Sequence, residues 1–486
     1  MTPYFWLIQL FFISNITCFN IAHADDTAKE HIEKIELRPL KNDHILHAED
    51  VLKSAHAFFP EILEQIQTIE AVGTDIQAAE GAFDTNLEQN YYSWERGFYD
   101  GTATDTKITQ PLEDLNSDIF IGYRTSRGNF PVYEDELWVN DEEYYIGARL
   151  ALLRDRDIDQ RRADLSISEW KLDKEKAKLI AIKLKVQEAA LKRYWKWVTA
   201  GHKLKTFQAL LKLAETRQTK LKKRVKSGDI AEIFLQEGEQ YILKRQADVT
   251  KAKNLFENAA IALSFYYRDG QGKPSRVFMR NLPKDYALPD RFVGQIGDNE
   301  AKIRNRPEFQ MLALQRKMTE QQKALAENNL LPFLDLELKS SKDNGSGSPT
   351  REEGEVTIGL QLKVPLQRNI AKANLAKQQA FLTRLSYSEK LQIEKLQNRL
   401  QKLQADLRNN YDLFYISQKE VKFARIMSKA EEKRFLFGSS DFFTLNRREE
   451  DIASSQIRVL RAQESYYKAI AEYYALIADF DNLYIE

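Results

Sequence analysis

The chain has 486 residues, with 72 Lys plus Arg against 72 Asp plus Glu, and so carries no formal net charge. That balance excludes the basic surface of a nucleic-acid binder and a polybasic membrane patch. Charged residues make up 30% of the chain while Gly and Pro number only 19 and 12, a composition that suits long solvated helices better than a compact enzyme core.

Residues 1–24 read as a secretory signal. Phe5 to Ile13 is apolar apart from Gln9 and too short to span a bilayer, and Ala22-His23-Ala24 offers small residues before a cleavage point at Asp25. No Lys or Arg precedes the apolar run. Cys18 is the only cysteine, and Thr17 and Asn15 do not fit a lipoprotein signal. A chain cut after Ala24 has no disulfide and no thiolate chemistry. No later segment is long and apolar enough for a transmembrane helix, so a membrane crossing would need a β-barrel.

Residues 25–47 form a polar leader. A helical stripe then runs through Val51, Leu52, Ala55, Phe58 and Phe59, and resumes after Pro60 with Ile62, Leu63, Ile66 and Ile69. From Ala82 the period changes to two, with Phe83, Thr85, Leu87 and Tyr91 on one face of a strand. Residues 93–142, rich in Gly, Asp, Asn and Tyr and holding Pro111 and Pro131, read as a long loop with at most short strands of its own. A return strand places Tyr144, Ile146, Ala148, Leu150 and Leu152 on one face.

From about Asp155 to Lys226 there is no proline and one glycine, Gly201. At about 1.5 Å per residue that predicts a helix of roughly 100 Å. Ser227-Gly228-Asp229 breaks it, and a further helix runs to about Tyr266. Residues 268–300 form a linker.

The order then repeats. A helix from about Glu300 to Asn329 leads to a hairpin at 333–364. Its strands alternate through Leu334, Leu336 and Leu338, then Val356, Ile358, Leu360, Leu362 and Val364. Another unbroken helix follows Pro365, with Ile393, Leu396, Leu400, Leu403, Leu407, Tyr411 and Phe414 at spacings of three and four. Gly438-Ser439-Ser440 breaks it before a last helix. The chain is thus written twice: repeat 1 over 48–267 and repeat 2 over 301–486. Two hairpins give four strands, too few to close a sheet. Stripes of this length also need partners, so both features ask for other subunits.

On these motifs the chain resembles the TolC-like outer-membrane efflux proteins over about residues 48–480. The break Arg-hydrophobe-x-x-Gly stands as Arg224-Val225-Lys226-Ser227-Gly228 and again as Arg434-Phe435-Leu436-Phe437-Gly438. Asn305-Arg306-Pro307-Glu308 opens the second half, Leu331-Pro332 the third strand, and Val364-Pro365-Leu366 the exit of the fourth. The place matching this exit in repeat 1 reads Ala151-Leu152-Leu153, without the proline.

The resemblance implies a mainly α protein of long antiparallel hairpins, an α-barrel in a homotrimer, with four strands per chain in a twelve-stranded transmembrane β-barrel. It implies an outer-membrane channel of a Gram-negative bacterium with a large periplasmic part, serving efflux or type I secretion. A periplasmic adaptor would open it, and an inner-membrane pump would supply the energy. Arg224, Val225, Gly228, Asp229, Arg434, Phe435, Gly438 and Ser439 would form the periplasmic tips that meet the adaptor. Val356, Ile358, Leu360 and Leu362 would face outer-membrane lipid.

Asp229, Ser439, Ser440 and Asp441 also suit plain capping of the returning helices. Well-known members carry Asp six and nine residues after the second Gly. Here Thr444 and Arg447 stand there, with Asp441 the nearest acid. Carboxylate rings are therefore not carried over to these constriction candidates. Arg447 either forms a basic ring that favours anionic cargo, or pairs, with Arg448, to Glu449 or Glu450 on a solvated face.

His44, His47 and His56 lack a fixed geometry for metal, and no phosphate loop or nucleophile motif is present. The reading is of no enzyme, no cofactor and no metal. Tyr91, Tyr92, Trp94, Phe120, Tyr123, Tyr144 and Tyr145 suit an aromatic girdle or a packed loop core. A non-pore periplasmic coiled-coil scaffold is the alternative; paired amphipathic strands have no use in it.

Overall fold

The computed structural model describes residues 45–96, 100–113, 117–129, 142–284, 303–344 and 354–485. The signal at 1–24, most of the leader, the turn at 345–353 and the linker beyond 284 lie outside them. In chain order the elements are α1 (Ala48–Phe58), α2 (Pro60–Glu80), β1 (Asn86–Trp94), β2 (Asp100–Leu112), β3 (Ser117–Asn129), β4 (Glu142–Ala151), α3 (Gln160–Lys226), α4 (Ile233–Ser264), α5 (Pro307–Asn328), β5 (Phe333–Asp343), β6 (Glu355–Lys363), α6 (Asn369–Leu436) and α7 (Phe442–Leu476). No helix among the described residues is long and apolar enough to cross a membrane.

The two long helices are α3, with 67 residues, and α6, with 68. Their length follows from the absence of proline, whose ring would break the ladder of hydrogen bonds. Gly201 in the middle of α3 has a packing reason. A Cβ there would come within 2.7 Å of Leu282 and 3.2 Å of Phe256. α5 starts at Pro307; Ile303 and Arg304 ahead of it are helical, and Asn305-Arg306 interrupt the run. Arg306 is extended before the proline and caps the helix start, since a residue preceding proline avoids the helical region.

The chain falls into two compact units, each drawing on both repeats. One comprises the described parts of Met1–Gln67, Ile182–Asn299 and Arg399–Glu486; the other comprises those of Thr68–Ala181 and Glu300–Asn398. The first is helical. Its core gathers Leu52, Ile62, Tyr194, Trp197, Leu263, Leu403, Tyr466 and Leu476, all buried. Trp195 stacks on Tyr467 with ring centres 3.8 Å apart, tying α3 to α7. A charged knot links three helices: Arg399 and Lys192 both pair with Glu188 and Glu472, at 2.6–3.0 Å. His47 stands before α1, its backbone N–H donating to Asp50 at 2.9 Å.

The second unit holds a single antiparallel sheet in the order β1-β2-β3-β4-β5-β6. The expectation of four strands is corrected to six. Residues 93–142, read as a long loop, supply β2 and β3 over 13 residues each. Apolar alternation is weak there because threonine does much of the work. Thr102, Thr104 and Thr106 share a face with Ile108, and threonine is a good strand former although it is not apolar. Pro111 sits one residue from the end of β2, where it removes little from the ladder.

Candidate functional site

The two glycine breaks share one construction. At the end of α3 the Gly228 N–H donates to the Val225 carbonyl at 3.0 Å, and the Asp229 N–H donates to the Arg224 carbonyl at 2.9 Å. At the end of α6 Gly438 donates to Phe435 at 3.2 Å and Ser439 to Arg434 at 2.9 Å. These are the paired bonds of a Schellman cap, which needs a left-handed residue at its centre. Gly228 and Gly438 supply it with φ of 77° and 74°. The recurring Arg-hydrophobe-x-x-Gly pattern is thus a backbone device. Its Arg and hydrophobe accept through their carbonyls, and its glycine makes the turn. The breaks also touch, because the Arg224 guanidinium lies over the Phe435 ring at 5.9 Å.

The returning helices start differently. Asp441 caps α7, accepting from the Thr444 N–H at 2.6 Å and the Thr444 hydroxyl at 2.9 Å. Ser439 Oγ donates to the Arg434 carbonyl, and Ser440 Oγ donates to Glu431. Asp229 does not cap α4, whose N-cap is Glu232 without a side-chain bond. Of the constriction candidates, Asp441 and Thr444 are therefore partners in one cap, and Arg447 is exposed.

Pairing of Arg447 or Arg448 with Glu449 or Glu450 is not what the described geometry shows. Arg448 lies 3.7 Å from Asp451, and Glu450 pairs with Lys244 at 2.8 Å. Glu449 is buried. It accepts from Arg217 of α3 and, at 3.3 Å, from Arg245 of α4. Asn446 joins them, accepting from Arg217 at 3.0 Å. Burial, reinforced by the neighbouring Arg245, pushes the Arg217 guanidinium down to about 10. Sequence reading missed this cluster, since Glu449 lies 232 positions from Arg217 and 204 from Arg245 and nothing local marks them.

The sheet has two opposite faces. One carries Leu87 and Tyr91, Ile108, Ile119 and Ile121, Ile146, Leu336 and Leu338, and the row Val356, Ile358, Leu360 and Leu362. These last four are 63–73% exposed. The other face carries charge, and the charges at its centre are paired. Arg124 lies 3.3 Å from Asp105 and 3.1 Å from Glu143, and Lys339 reaches Glu143 at 2.9 Å. Tyr145 donates to Asp105 at 2.8 Å. Glu143 is only 4% exposed. Nearer α3, Asp118 accepts from Arg149 and Arg161, beside a cavity of about 240 Å³ that Asp155, Asp159 and Asp335 also line. The polarity is the reverse of a water-soluble sheet, which buries its apolar side. The aromatics divide between the faces. Tyr91, Tyr123 and Tyr144 stand on the apolar side, Phe120 and Tyr145 on the charged side.

Two outcomes follow at the breaks. An added Cβ at Gly228 or Gly438 meets nothing within 4 Å. Gly228→Ala and Gly438→Ala should each cost only the strain of the left-handed backbone, about 1–2 kcal/mol, in denaturant melts. Asp441 is held below the ordinary carboxylate range, first by the Thr444 N–H and then by its hydroxyl. A lowered pKa means the cap contributes fully above the unfolded value and is lost as pH falls through the folded one. Protection factors of the amides at Phe443–Leu445 should drop under acid below about pH 4. Asp441→Asn, which caps without titrating, should abolish that dependence.

No family model and no curated protein matches the sequence. Solved structures do match its fold. The outer-membrane channel OprN aligns with a TM-score of 0.63 at 14% identity, over 88% of this chain and 89% of that one. CusC, described in terms of transmembrane channel formation, aligns at 0.64 and 10% identity over 90% and 92%. The open state of the Neisseria gonorrhoeae MtrE outer-membrane channel aligns at 0.63 and 14% over 91% and 95%. With these alignments covering about nine-tenths of both chains, this protein has the fold of the TolC-like outer-membrane channels.

Proposed function

We propose that the chain is an outer-membrane channel subunit, a passive homotrimeric conduit of a tripartite efflux or type I secretion system. The observation that carries the reading is the reversed sheet. Its exposed rows from Leu87 to Leu362 are apolar, while Asp105, Arg124, Glu143 and Lys339 are paired on the covered side. Lipid outside and water inside satisfy both faces at once. A coiled-coil scaffold has no use for either.

In this reading the breaks at Gly228 and Gly438 are the periplasmic tips. Phe437 and Phe443 beside them are 85% and 59% exposed, an apolar surface suited to a periplasmic adaptor protein. Movement of the tips opens the conduit, and an inner-membrane pump supplies the energy. Arg447 lies three residues beyond Thr444 on the same side of α7. Three such residues around a constriction would favour anionic cargo over cationic.

Light scattering of the detergent-extracted protein, with detergent subtracted, should give the mass of three chains from an outer-membrane fraction. A soluble monomer or dimer from the periplasm would sink the channel reading. Leu360→Arg should cost about 2–4 kcal/mol if Leu360 sits near the bilayer midplane, read as lost assembly in urea-wash and heat-stability assays. Unchanged assembly of that variant would count against lipid contact.

A further inference from the structure

Resting on the channel reading, we infer that β6 of one copy pairs with β1 of the next in one definite register, with Tyr92 across from Gly359 and Glu88 across from Lys363. Three such seams close a barrel of three six-stranded sheets, eighteen strands in all.

The first argument is the state of the two edges. β1 and β6 are the outer strands of the sheet, nine residues each, and both are exposed along nearly their whole length. Unpaired edges of that length are open to strand addition. Six is an even number, and every neighbour in the sheet is antiparallel. The next β1 therefore runs antiparallel to β6, and the meander continues across the seam without a change of hydrogen-bond pattern.

The second argument fixes the register. On the charged face, glycines of this sheet stand directly across from aromatic side chains. Gly101 faces Trp94, Gly122 faces Tyr145 and Gly147 faces Phe120. At Gly122 and Gly147 the opposite ring covers the space a Cβ would take. Gly359 of β6 lies on the same face, but its neighbour within the chain is Glu337, and a Cβ there would meet only Glu337, at 3.8 Å. It lacks an aromatic cover on its open side. β1 offers one on the matching face: Tyr92, 53% exposed, which stands across from the small Ala103 and has the Trp94 ring 6.1 Å away along its own strand.

Setting Tyr92 against Gly359 fixes every other pair, since antiparallel partners have a constant sum. Lys363 then meets Glu88, a cation against an anion on the water side. Leu360 meets Tyr91 and Val364 meets Leu87, apolar against apolar on the lipid side. The seam ends at Pro365, which has no N–H to leave unpaired. A shift by two residues either way puts Lys363 against Asn86 or Asn90 and loses the charge pair; the shift that sets Trp94 against Gly359 also puts Leu360 against Ser93 and Val364 against Gln89 on the lipid side. A shift by one turns charges to lipid.

Barrels of this strand number keep an aqueous channel rather than filling with side chains. The strands β2 and β3 thus widen the wall, and the charged row they share with β4 and β5 lines the water.

The test uses the protein in outer membranes, where the only native cysteine, Cys18, has left with the signal. Directly opposed Cβ atoms sit about 4.5–5.5 Å apart, close enough for a disulfide with slight adjustment. Glu88→Cys with Lys363→Cys should give, on mild oxidation, a ladder of one, two and three linked chains on a non-reducing gel. Asn90→Cys with Lys363→Cys should give at least tenfold less. As a second readout, Glu88→Lys should lose most of the detergent-stable trimer, and adding Lys363→Glu should restore it. A three-chain mass without the ladder, or with the Asn90 pair linking better, overturns the register and leaves the channel reading standing. A soluble monomer overturns both.

Discussion

Asp105, Arg124 and Glu143 stand directly across from one another on three neighbouring strands, and Lys339 closes the row from a fourth. Burying an isolated ion costs several kcal/mol, so a covered row of this kind is tolerable only when every charge meets its opposite. The alternation acid, base, acid, base meets that demand, and it does so in one register alone. Moving any strand by one residue would swing its charges onto the face that carries Ile121, Ile146 and Leu338. The charged row therefore dictates the apolar one. It also leaves a single chain incomplete, with apolar side chains facing out and two edges lacking partners. Apolar surroundings and further copies are what this sheet demands of its setting.

The helical part solves a different problem. Helices as long as α3 and α6 must turn back sharply to pack against α4 and α7, and four carbonyls at each end need donors. The Schellman bonds at Gly228 and Gly438 answer half of that need with backbone alone. This is why the pattern around the breaks recurs when the side chains differ: Val225 stands where Phe435 does, and both contribute a carbonyl. The second break adds a side-chain cap through Asp441, and the first has none. The two tips are alike in backbone and unlike in rigidity at the returning helix.

Much of this was legible in the sequence, where period and breaker residues coincide. The row from Val356 to Val364 alternates without exception, and both glycine breaks interrupt proline-free runs. β2 and β3 were not legible. One face of β2 is mostly threonine (Thr102, Thr104 and Thr106), and the opposite face of the two strands uses Gly122, Arg124 and Asp105, residues that count as loop formers or solvated charges until an opposing strand is present. Apolar spacing runs unbroken across Pro307, whereas backbone sterics at the residue before proline interrupt the helix at Asn305-Arg306. The Arg217–Arg245–Glu449 cluster was illegible for a simpler reason. Each of its charges also fits an exposed helix face, and only the fold shows that they are buried together.

That cluster constrains how the helices near the breaks can move. Two guanidinium groups share one carboxylate, with Arg217 on α3, Arg245 on α4 and Glu449 on α7; Arg245 and Glu449 are buried, and the Arg217 side chain is 11% exposed. Sliding one helix past the others would strand at least one charge in a medium that cannot solvate it, at a cost of about 3–5 kcal/mol for a broken buried pair. Gln218 packs against Gly238 beside it and donates to the Leu235 carbonyl at 2.9 Å, so α3 and α4 are interlocked there as well. Exposed residues such as Arg447, Phe437 and Phe443 meet no such resistance. A conformational change at this end is cheapest when α3, α4 and the first turns of α7 travel as one body.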